Sequence, residues 1–133
     1  KNYEEELVVE GNVFELRQVI EAVLHNAYEA IGEKQKDGGA KGRIRITLDK
    51  TEQSKIVEIE DNGVGIEYFE DEKMHSTSVA RTEFFSEGFS TKESGAGFGM
   101  RRALEVLESY DAVMYIRSTK GEGTVVRIEF PAE

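Results

Sequence analysis

The sequence predicts a two-layer α/β sandwich, in which a mixed sheet of about five strands carries about three helices on one face. Two observations support this fold class. Apolar residues recur at helical spacing in two long segments, and they alternate with polar residues in most of the others. The predicted order is strand, helix, strand, strand, a long irregular segment, helix, strand, strand. A chain of 133 residues suits one domain, which we place at residues 1–133.

The composition restricts the possible classes of function. The chain carries 27 acidic and 17 basic residues, whereas a nucleic-acid-binding surface needs a basic stripe. No apolar run approaches the roughly 18 residues of a membrane-spanning helix, so we expect no direct membrane insertion. The absence of cysteine excludes disulfides and suits a cytoplasmic domain. Because the first residue is Lys1 rather than Met, we expect a fragment of a longer protein.

The first predicted helix is the longer of the two. A short strand at residues 3–10 precedes it, and Asn12 with Glu15 three positions later resembles a capping box. Helical spacing of apolar residues continues to about Ile31, where we expect the helix to end. The residues predicted to face the core are Val13, Leu16, Ile20, Val23, Leu24, Ala27 and Ile31.

The middle of the chain contains two strands and a long irregular segment. Lysine and glycine predict a surface loop at residues 32–42, and alternation predicts strands at residues 43–48 and 56–61. The residues that follow lack periodicity up to about residue 97. Irregular segments of about thirty residues in a compact domain are usually functional, so we predict a lid at about residues 67–97.

The last third of the chain predicts a helix and two closing strands. The helix covers about residues 98–110, and the strands cover residues 112–118 and 124–131. A tight turn at residues 120–123 joins the strands. The residues of this helix predicted to point inward are Met100, Ala103, Leu104 and Leu107.

A glycine-bearing segment, residues 61–66, follows the second of the middle strands. Ile59 and Asp61 have the same parity, so Asp61 faces the core if the isoleucine does. A buried carboxylate needs a partner, and an adenine amino group is one candidate. Gly63 and Gly65 would let the backbone pass close to a flat ring. The alternative is a simple hairpin turn, because Asn-Gly is a common turn signal.

Two further glycine-bearing segments occur later in the chain. Residues 95–100 open the second helix, where unpaired N–H groups suit an anion; the alternative is a hinge of the lid. They fit a dinucleotide fingerprint poorly, because no strand precedes them. Residues 121–124 form a turn, and Thr124 shares the parity of Val126, which places its hydroxyl in the interior beside Asp61.

Asn26 is the fourth candidate for a functional residue. It falls on the first helix at the shoulder between the predicted core-facing stripe and solvent. Its amide oxygen is a suitable hard ligand for Mg²⁺, and the alternative is an ordinary polar residue flanking the core. His25 lies on the polar side of this helix and His75 in the lid. Neither has a carboxylate or cysteine at ligand spacing, so we expect both to be solvated.

Together and in this order, these segments resemble the Bergerat-fold ATP-binding superfamily shared by gyrase, Hsp90, histidine kinases and MutL. The resemblance covers residues 16–131. Residues 18–30 look like the asparagine box of that superfamily, residues 61–65 like its first glycine box, and residues 95–99 like its second. Residues 85–92 are similar to the phenylalanine box of nitrogen-regulation-type histidine kinases.

The resemblance implies a role for each matching residue. Asp61 would accept from the adenine amino group, and Thr124 would hold a bridging water. Asn26 would ligate Mg²⁺, and Lys92 would meet the terminal phosphate, so these two are the implied catalytic residues. The lid would be anchored by Phe85 and by Phe89. The positions implied to contact ATP are Asn26, Ala30, Asp61, Gly63, Gly65, Ile66, Lys92, Gly95, Ala96, Gly97, Phe98, Gly99, Met100 and Thr124.

One departure from the superfamily pattern concerns Ala22. Four residues before the asparagine, the hydrolytic members carry a glutamate base, and histidine kinases usually carry an asparagine. Glu21 lies on a different side of the helix from Asn26, whereas Glu29 could reach the same cleft, although an exposed flank position is the simpler reading. The alanine therefore weakens any expectation of autonomous hydrolysis.

The resemblance implies an ATP-dependent histidine kinase domain with ATP and Mg²⁺ as cofactors. Its partners would be a phosphoacceptor histidine domain of the same protein and, through that domain, a response regulator. It would be cytoplasmic, either free or as part of a membrane-bound sensor. The alternatives are an ATPase of the gyrase or Hsp90 type, a serine kinase of the anti-sigma-factor type, and a non-catalytic nucleotide-binding regulator.

Overall fold

The computed structural model describes residues 8–36, 38, 41–65, 75–76 and 96–132, with the backbone alone described at residues 75–76 and 96–98. Two helices and five strands occur in these residues. Their order and bounds are α1 (Val13–Gln35), β1 (Ile44–Lys50), β2 (Ser54–Asp61), β3 (His75–Ser76), α2 (Ala96–Ser109), β4 (Val113–Thr119) and β5 (Gly123–Pro131). The two-layer α/β class is confirmed, with two helices in the described residues against about three predicted.

The sheet has the strand order β1-β2-β5-β4-β3. Every pairing between these strands is antiparallel, so the prediction of a mixed sheet was wrong. The predicted strand at residues 3–10 is also wrong where it can be judged, because residues 8–10 form no strand and residues 1–7 lie outside the described residues. β3 was not predicted: a two-residue strand is too short to show alternation.

α1 begins as predicted but extends further. The side chain of Asn12 caps it, because Oδ1 accepts from the N–H of Phe14 at 2.9 Å and of Glu15 at 3.2 Å. The helix continues one turn past Ile31 to Gln35. It includes Gly32, which costs only about 1 kcal/mol relative to alanine and so does not end a helix by itself.

The buried face of α1 differs from the predicted stripe. Val13 was expected to face the core but is 70% exposed. The helix packs against α2 as well as the sheet, and a Cβ placed on Gly99 would lie 3.5 Å from Cβ of Ala22. This close approach turns the face with small residues inward, so Asn26 lies within the buried face rather than on its shoulder. The buried residues are Val19, Ala22, Val23, Asn26, Ala27 and Ala30.

α2 starts at Ala96, two residues earlier than predicted, so Ala96 and Gly97 belong to its first turn. Met100, Ala103, Leu104 and Leu107 are all buried, as predicted. The interior lies between the two helices and one face of the sheet. Its most enclosed members are Val19, Val23, Ile59, Met100, Ala103, Val106, Leu107, Met114, Ile116 and Ile128.

β1 forms the edge of the sheet. Ile46 pairs with the enclosed Ile59 and therefore lies on the helix-facing side, yet Ile44, Ile46 and Leu48 are all exposed. The two described helices cover the centre of the sheet and leave this edge open. Among the described residues, neither helix is long and apolar enough to cross a membrane.

Candidate functional site

Asp61 occupies the last position of β2 and is 8% exposed. Its side chain lies on the same face as Ile59, as parity predicts. The carboxylate is held locally, because the N–H of Gly63 donates to Asp61 Oδ1 at 2.8 Å. This bond folds the chain back after the strand and keeps a carboxylate at the boundary between the core and the strand ends.

The two glycines after Asp61 permit close backbone contacts. A Cβ on Gly63 would lie 2.6 Å from the Cβ of Ala30, and the N–H of Val64 donates to Ala30 O at 3.2 Å. Gly65 has a φ of +78° and lies against Thr119. In the described residues the glycines therefore let this segment pass between α1 and the β4–β5 turn, a need that the sequence alone did not indicate.

Thr124 lies on the same face of the sheet as Asp61, as the parity argument expected, and the ladder of β2 with β5 places the two residues directly opposite each other. Ser118 of β4 lies opposite Thr124, so three polar side chains form one row across three strands. The Ser118 Oγ lies 2.8 Å from Thr124 Oγ1. Ser118 was missed by the sequence analysis, although it shares the parity of the enclosed Ile116 and was identifiable by that signal.

A pocket of about 350 Å³ opens at the ends of β2, β4 and β5. Its lining is mostly polar and contains all three members of the row. The lining residues are Glu60, Asp61, Arg117, Ser118, Thr119, Glu122, Gly123, Thr124 and Val125. The lining also contains Glu60, Arg117 and Val125, whose parity is opposite to that of the row, so the pocket surrounds the strand ends and offers hydrogen-bonding groups there.

The side chain of Asn26 is buried, with 9% of the residue exposed. Neither Oδ1 nor Nδ2 has a hydrogen-bond partner in the described part of the chain. A buried amide without partners is unfavourable by about 1–3 kcal/mol, and a ligand that bonds to it would remove this cost. The described residues contain no group of three or more His, Cys, Asp or Glu that could hold a metal. An amide oxygen with phosphate and water ligands suits Mg²⁺, which keeps several waters, so Asn26 fits this ion.

The residues around Asn26 show which side chains could act as a general base for hydrolysis. Ala22 is buried and carries no polar group, and Glu21 is exposed and pairs with Arg17. The side chain of Glu29 is only 23% exposed, and its Oε1 is inaccessible to solvent, so the exposed flank reading was wrong. His25 Nε2 lies 3.5 Å from Glu29 Oε2, so His25 does have a carboxylate at one-turn spacing, contrary to expectation.

The implied phosphate-contacting residues are only partly described. Ile66, Lys92 and Gly95 lie outside the described residues, as do Phe85 and Phe89. Three implied positions lie in the first turn of α2, where only the backbone is described: Ala96, Gly97 and Phe98.

Of the implied positions in the first turns of α2, two are described in full, Gly99 and Met100. Gly99 faces Ala22 of α1, next to the turn that carries Asn26. Met100 is fully enclosed in the core, so only its backbone is available to a ligand.

Comparison with solved structures defines the class of fold. The chain superposes on the catalytic domain of histidine kinase ThkA, in a nucleotide-free form, with a TM-score of 0.68 and 24% identity. The match covers 97% of this chain and 74% of that domain. The fold is therefore that of a histidine kinase catalytic domain. Residues 11–133 match the model of one family, and the chain belongs to it: the histidine kinase-, DNA gyrase B- and HSP90-like ATPases.

Several curated sensor proteins are similar to the chain. Sensor protein DegM of Bacillus sp. (strain B21-2) is 28% identical over 129 residues, which cover 97% of this chain and 30% of that protein. Sporulation kinase A of Bacillus subtilis (strain 168) is 29% identical over 132 residues, which cover 98% of this chain and 19% of that protein. The third relative is the signal transduction histidine-protein kinase AtoS of Escherichia coli (strain K12). It is 29% identical over 117 residues, which cover 87% of this chain and 16% of that protein. The chain thus spans less than a third of the length of these relatives.

Proposed function

We propose that this domain binds ATP with Mg²⁺ and transfers the terminal phosphoryl group to a histidine on a separate phosphoacceptor domain of the same protein. A response regulator would then receive the phosphoryl group from that domain, in the cytoplasm. The observation that carries the proposal is the row of Asp61 and Thr124 in a polar pocket, within a fold shared with a histidine kinase catalytic domain. Relatives named as a sporulation kinase and as a signal transduction histidine-protein kinase support it.

The adenine base of ATP would be recognised at the ends of the strands. Asp61 has one carboxylate oxygen engaged by Gly63, which orients the carboxylate to accept from an adenine amino group. Thr124 lies directly opposite and would hold a bridging water. The contact of Gly63 with Ala30 keeps the segment after Asp61 against α1, so packing of the fold fixes the position of this segment.

The phosphates would lie at the start of α2. The first turn of a helix has backbone N–H groups without partners inside the helix, a favourable place for anions, and the lack of a side chain at Gly97 and Gly99 would let phosphates approach closely. Lys92 would supply a positive charge to the terminal phosphate. Asn26 would hold Mg²⁺, which neutralises charge on the phosphates when bound. Gly99 packs on α1 beside Ala22, one turn from Asn26, so the phosphate and metal positions adjoin.

The residues around Asn26 favour transfer to imidazole over hydrolysis. Water needs a base, and Ala22 offers none, while Glu21 is engaged at the surface by Arg17. A neutral imidazole nitrogen is nucleophilic near neutral pH without such help. In the proposed step this nitrogen forms a bond to the terminal phosphorus, the bond from phosphorus to the bridging oxygen breaks, and ADP leaves.

The test uses the full-length protein with its phosphoacceptor domain. With ATP and Mg²⁺ we expect acid-labile, base-stable phosphohistidine on that domain. Asn26→Ala should abolish the phosphoryl transfer and leave magnesium-free ADP binding nearly intact. The reason is that the amide would hold the metal ion and would not contact the adenine base. Brisk phosphate release by the isolated domain, without phosphohistidine in the full-length protein, would contradict the proposal.

A second candidate is an ATPase that uses Glu29 as its base. The observation that favours it is the burial of this carboxylate one turn from Asn26, with Oε1 inaccessible to solvent. Under this reading Glu29→Gln would remove magnesium-dependent hydrolysis by roughly 10²–10⁴-fold, the usual contribution of a general base. If ATP binds and neither hydrolysis nor phosphohistidine appears, the domain is a nucleotide-binding regulator.

A further inference from the structure

Ser118 is a buried hydroxyl that neither the resemblance nor the proposed mechanism uses. It is 1% exposed, on β4, in the row that continues through Thr124 to Asp61. Its Oγ lies 2.8 Å from Thr124 Oγ1 and 3.1 Å from the carbonyl oxygen of Gly123. A hydroxyl with two such contacts, next to a residue that lines the pocket, can determine how that residue bonds to a ligand.

The direction of these two hydrogen bonds follows from the donors available. The carbonyl of Gly123 can only accept, so its bond with Ser118 uses the single hydroxyl proton of Ser118. The distance between the two hydroxyls leaves their donor open, and the bond from Ser118 to Gly123 assigns that role to Thr124. As a result, Thr124 Oγ1 has no proton left for the pocket and presents only lone pairs there.

We propose that Ser118 is a positioning residue that makes the pocket select a 6-amino purine over a 6-keto purine. The inference rests on the proposed binding of ATP. Asp61 is an acceptor when ionised, and Ser118 makes Thr124 an acceptor too. An amino group, directly or through water, satisfies both, whereas a keto oxygen faces acceptors alone and loses its hydrogen bonds on binding. Sites built for a specific hydrogen bond discriminate strongly against a ligand that cannot make it.

Calorimetry of this chain with ADP and with IDP, both without metal, tests the assignment. The wild-type chain should prefer ADP. In Ser118→Ala the hydroxyl of Thr124 is free to turn its proton into the pocket, which helps a keto oxygen and harms an amino group. We expect the ADP-to-IDP preference to fall by about 3- to 10-fold, the value of one net hydrogen bond.

Two further variants separate positioning from a structural effect. Thr124→Val should lower the same preference, and the double variant should be no worse than either single one, because the two hydroxyls act as a unit. Ser118→Thr keeps the hydroxyl and should keep the preference. If Ser118→Ala does not give a cooperative thermal transition, Ser118→Cys takes its place, because a thiol is only a weak donor and acceptor and should lower the preference in the same direction.

Ser109→Ala is the matched control. Its Oγ also donates to a backbone carbonyl, that of Val106 at 2.6 Å, but it lies at the end of α2 and outside the pocket. This variant should leave the preference unchanged. An unchanged preference in a folded Ser118→Ala chain that still binds ADP would overturn the role of Ser118 alone. Failure of the wild-type chain to bind ADP would overturn the proposed function, and the inference with it.

Discussion

Asn26→Leu should raise the stability of the ligand-free domain while removing its response to magnesium. Asn26 is buried in the face that α1 turns inward, and neither polar atom of its side chain has a partner in the described residues. Leucine has a similar size and no polar atoms, so the substitution removes an unfavourable burial and adds apolar contact. A residue that serves function rather than packing is expected to cost stability in this way.

The magnitude follows from the desolvation of the amide. A buried, unpaired polar group costs about 1–3 kcal/mol, and Asn26 carries one such donor group and one acceptor. Imperfect accommodation of the branched side chain offsets part of the gain, since overpacking costs about 1–3 kcal/mol. We therefore expect the free energy of unfolding to increase by about 1–2 kcal/mol, a shift in Tm of about 3–8 °C for a domain of this size.

Urea unfolding without ligand measures the change, and Asn62→Leu is the control. Asn62 has the partners that Asn26 lacks: its Oδ1 accepts from Arg43 N at 2.7 Å and its Nδ2 donates to Lys41 O at 2.8 Å. The same substitution there should lower the free energy of unfolding. If Asn26→Leu destabilises the ligand-free domain as much as Asn62→Leu does, the amide is a satisfied structural residue, and the argument for a metal ligand is refuted.

Three other substitutions test separate parts of the structure. Asp61→Asn should weaken ATP and ADP alike by about 1.5–3 kcal/mol, because a charge-assisted bond to the base is lost; unchanged ADP affinity in calorimetry would remove the adenine assignment. Gly63→Ala should destabilise by about 1–3 kcal/mol in chemical unfolding, since the new Cβ would lie 2.6 Å from Ala30 Cβ; a neutral result would mean that α1 and this segment separate readily. Asn12→Ala should cost about 1 kcal/mol in thermal unfolding through loss of the cap of α1, and no change would show that the cap is dispensable.

The placement of Asp61 and Thr124 was predictable from sequence because strand parity is a local property. Side chains on a strand alternate between faces, so an apolar residue two positions away shows which face a polar residue takes. Both residues therefore lie on the face that the alternation predicted, and the pairing of β2 with β5 places them directly opposite each other. The inward orientation of Ser118 follows from the same alternation and was predictable too. Ser118 lies outside the glycine-rich motifs, so no motif identified it as a functional residue.

The rotation of α1 was not predictable from its own residues. Helical spacing predicted a core-facing stripe centred on the larger apolar side chains. That stripe includes Val13, which the structure shows to be exposed. The choice of buried face depends on what the helix meets, and α2 approaches closely at Gly99 and Ala22 because both residues are small. That contact moves Asn26 from the expected shoulder into the buried face.

The sequence by itself determined the class of fold, the N-terminal cap of α1, the inward face of α2 and the face of the sheet on which Asp61 and Thr124 lie. Each depends on spacing along one element, which is a local property. Only the tertiary structure decided the antiparallel sheet, the rotation of α1, the burial of Glu29 and the bond between Ser118 and Thr124. These depend on which elements meet, because strand pairing and helix contact join residues that are distant in sequence, and no local period records them.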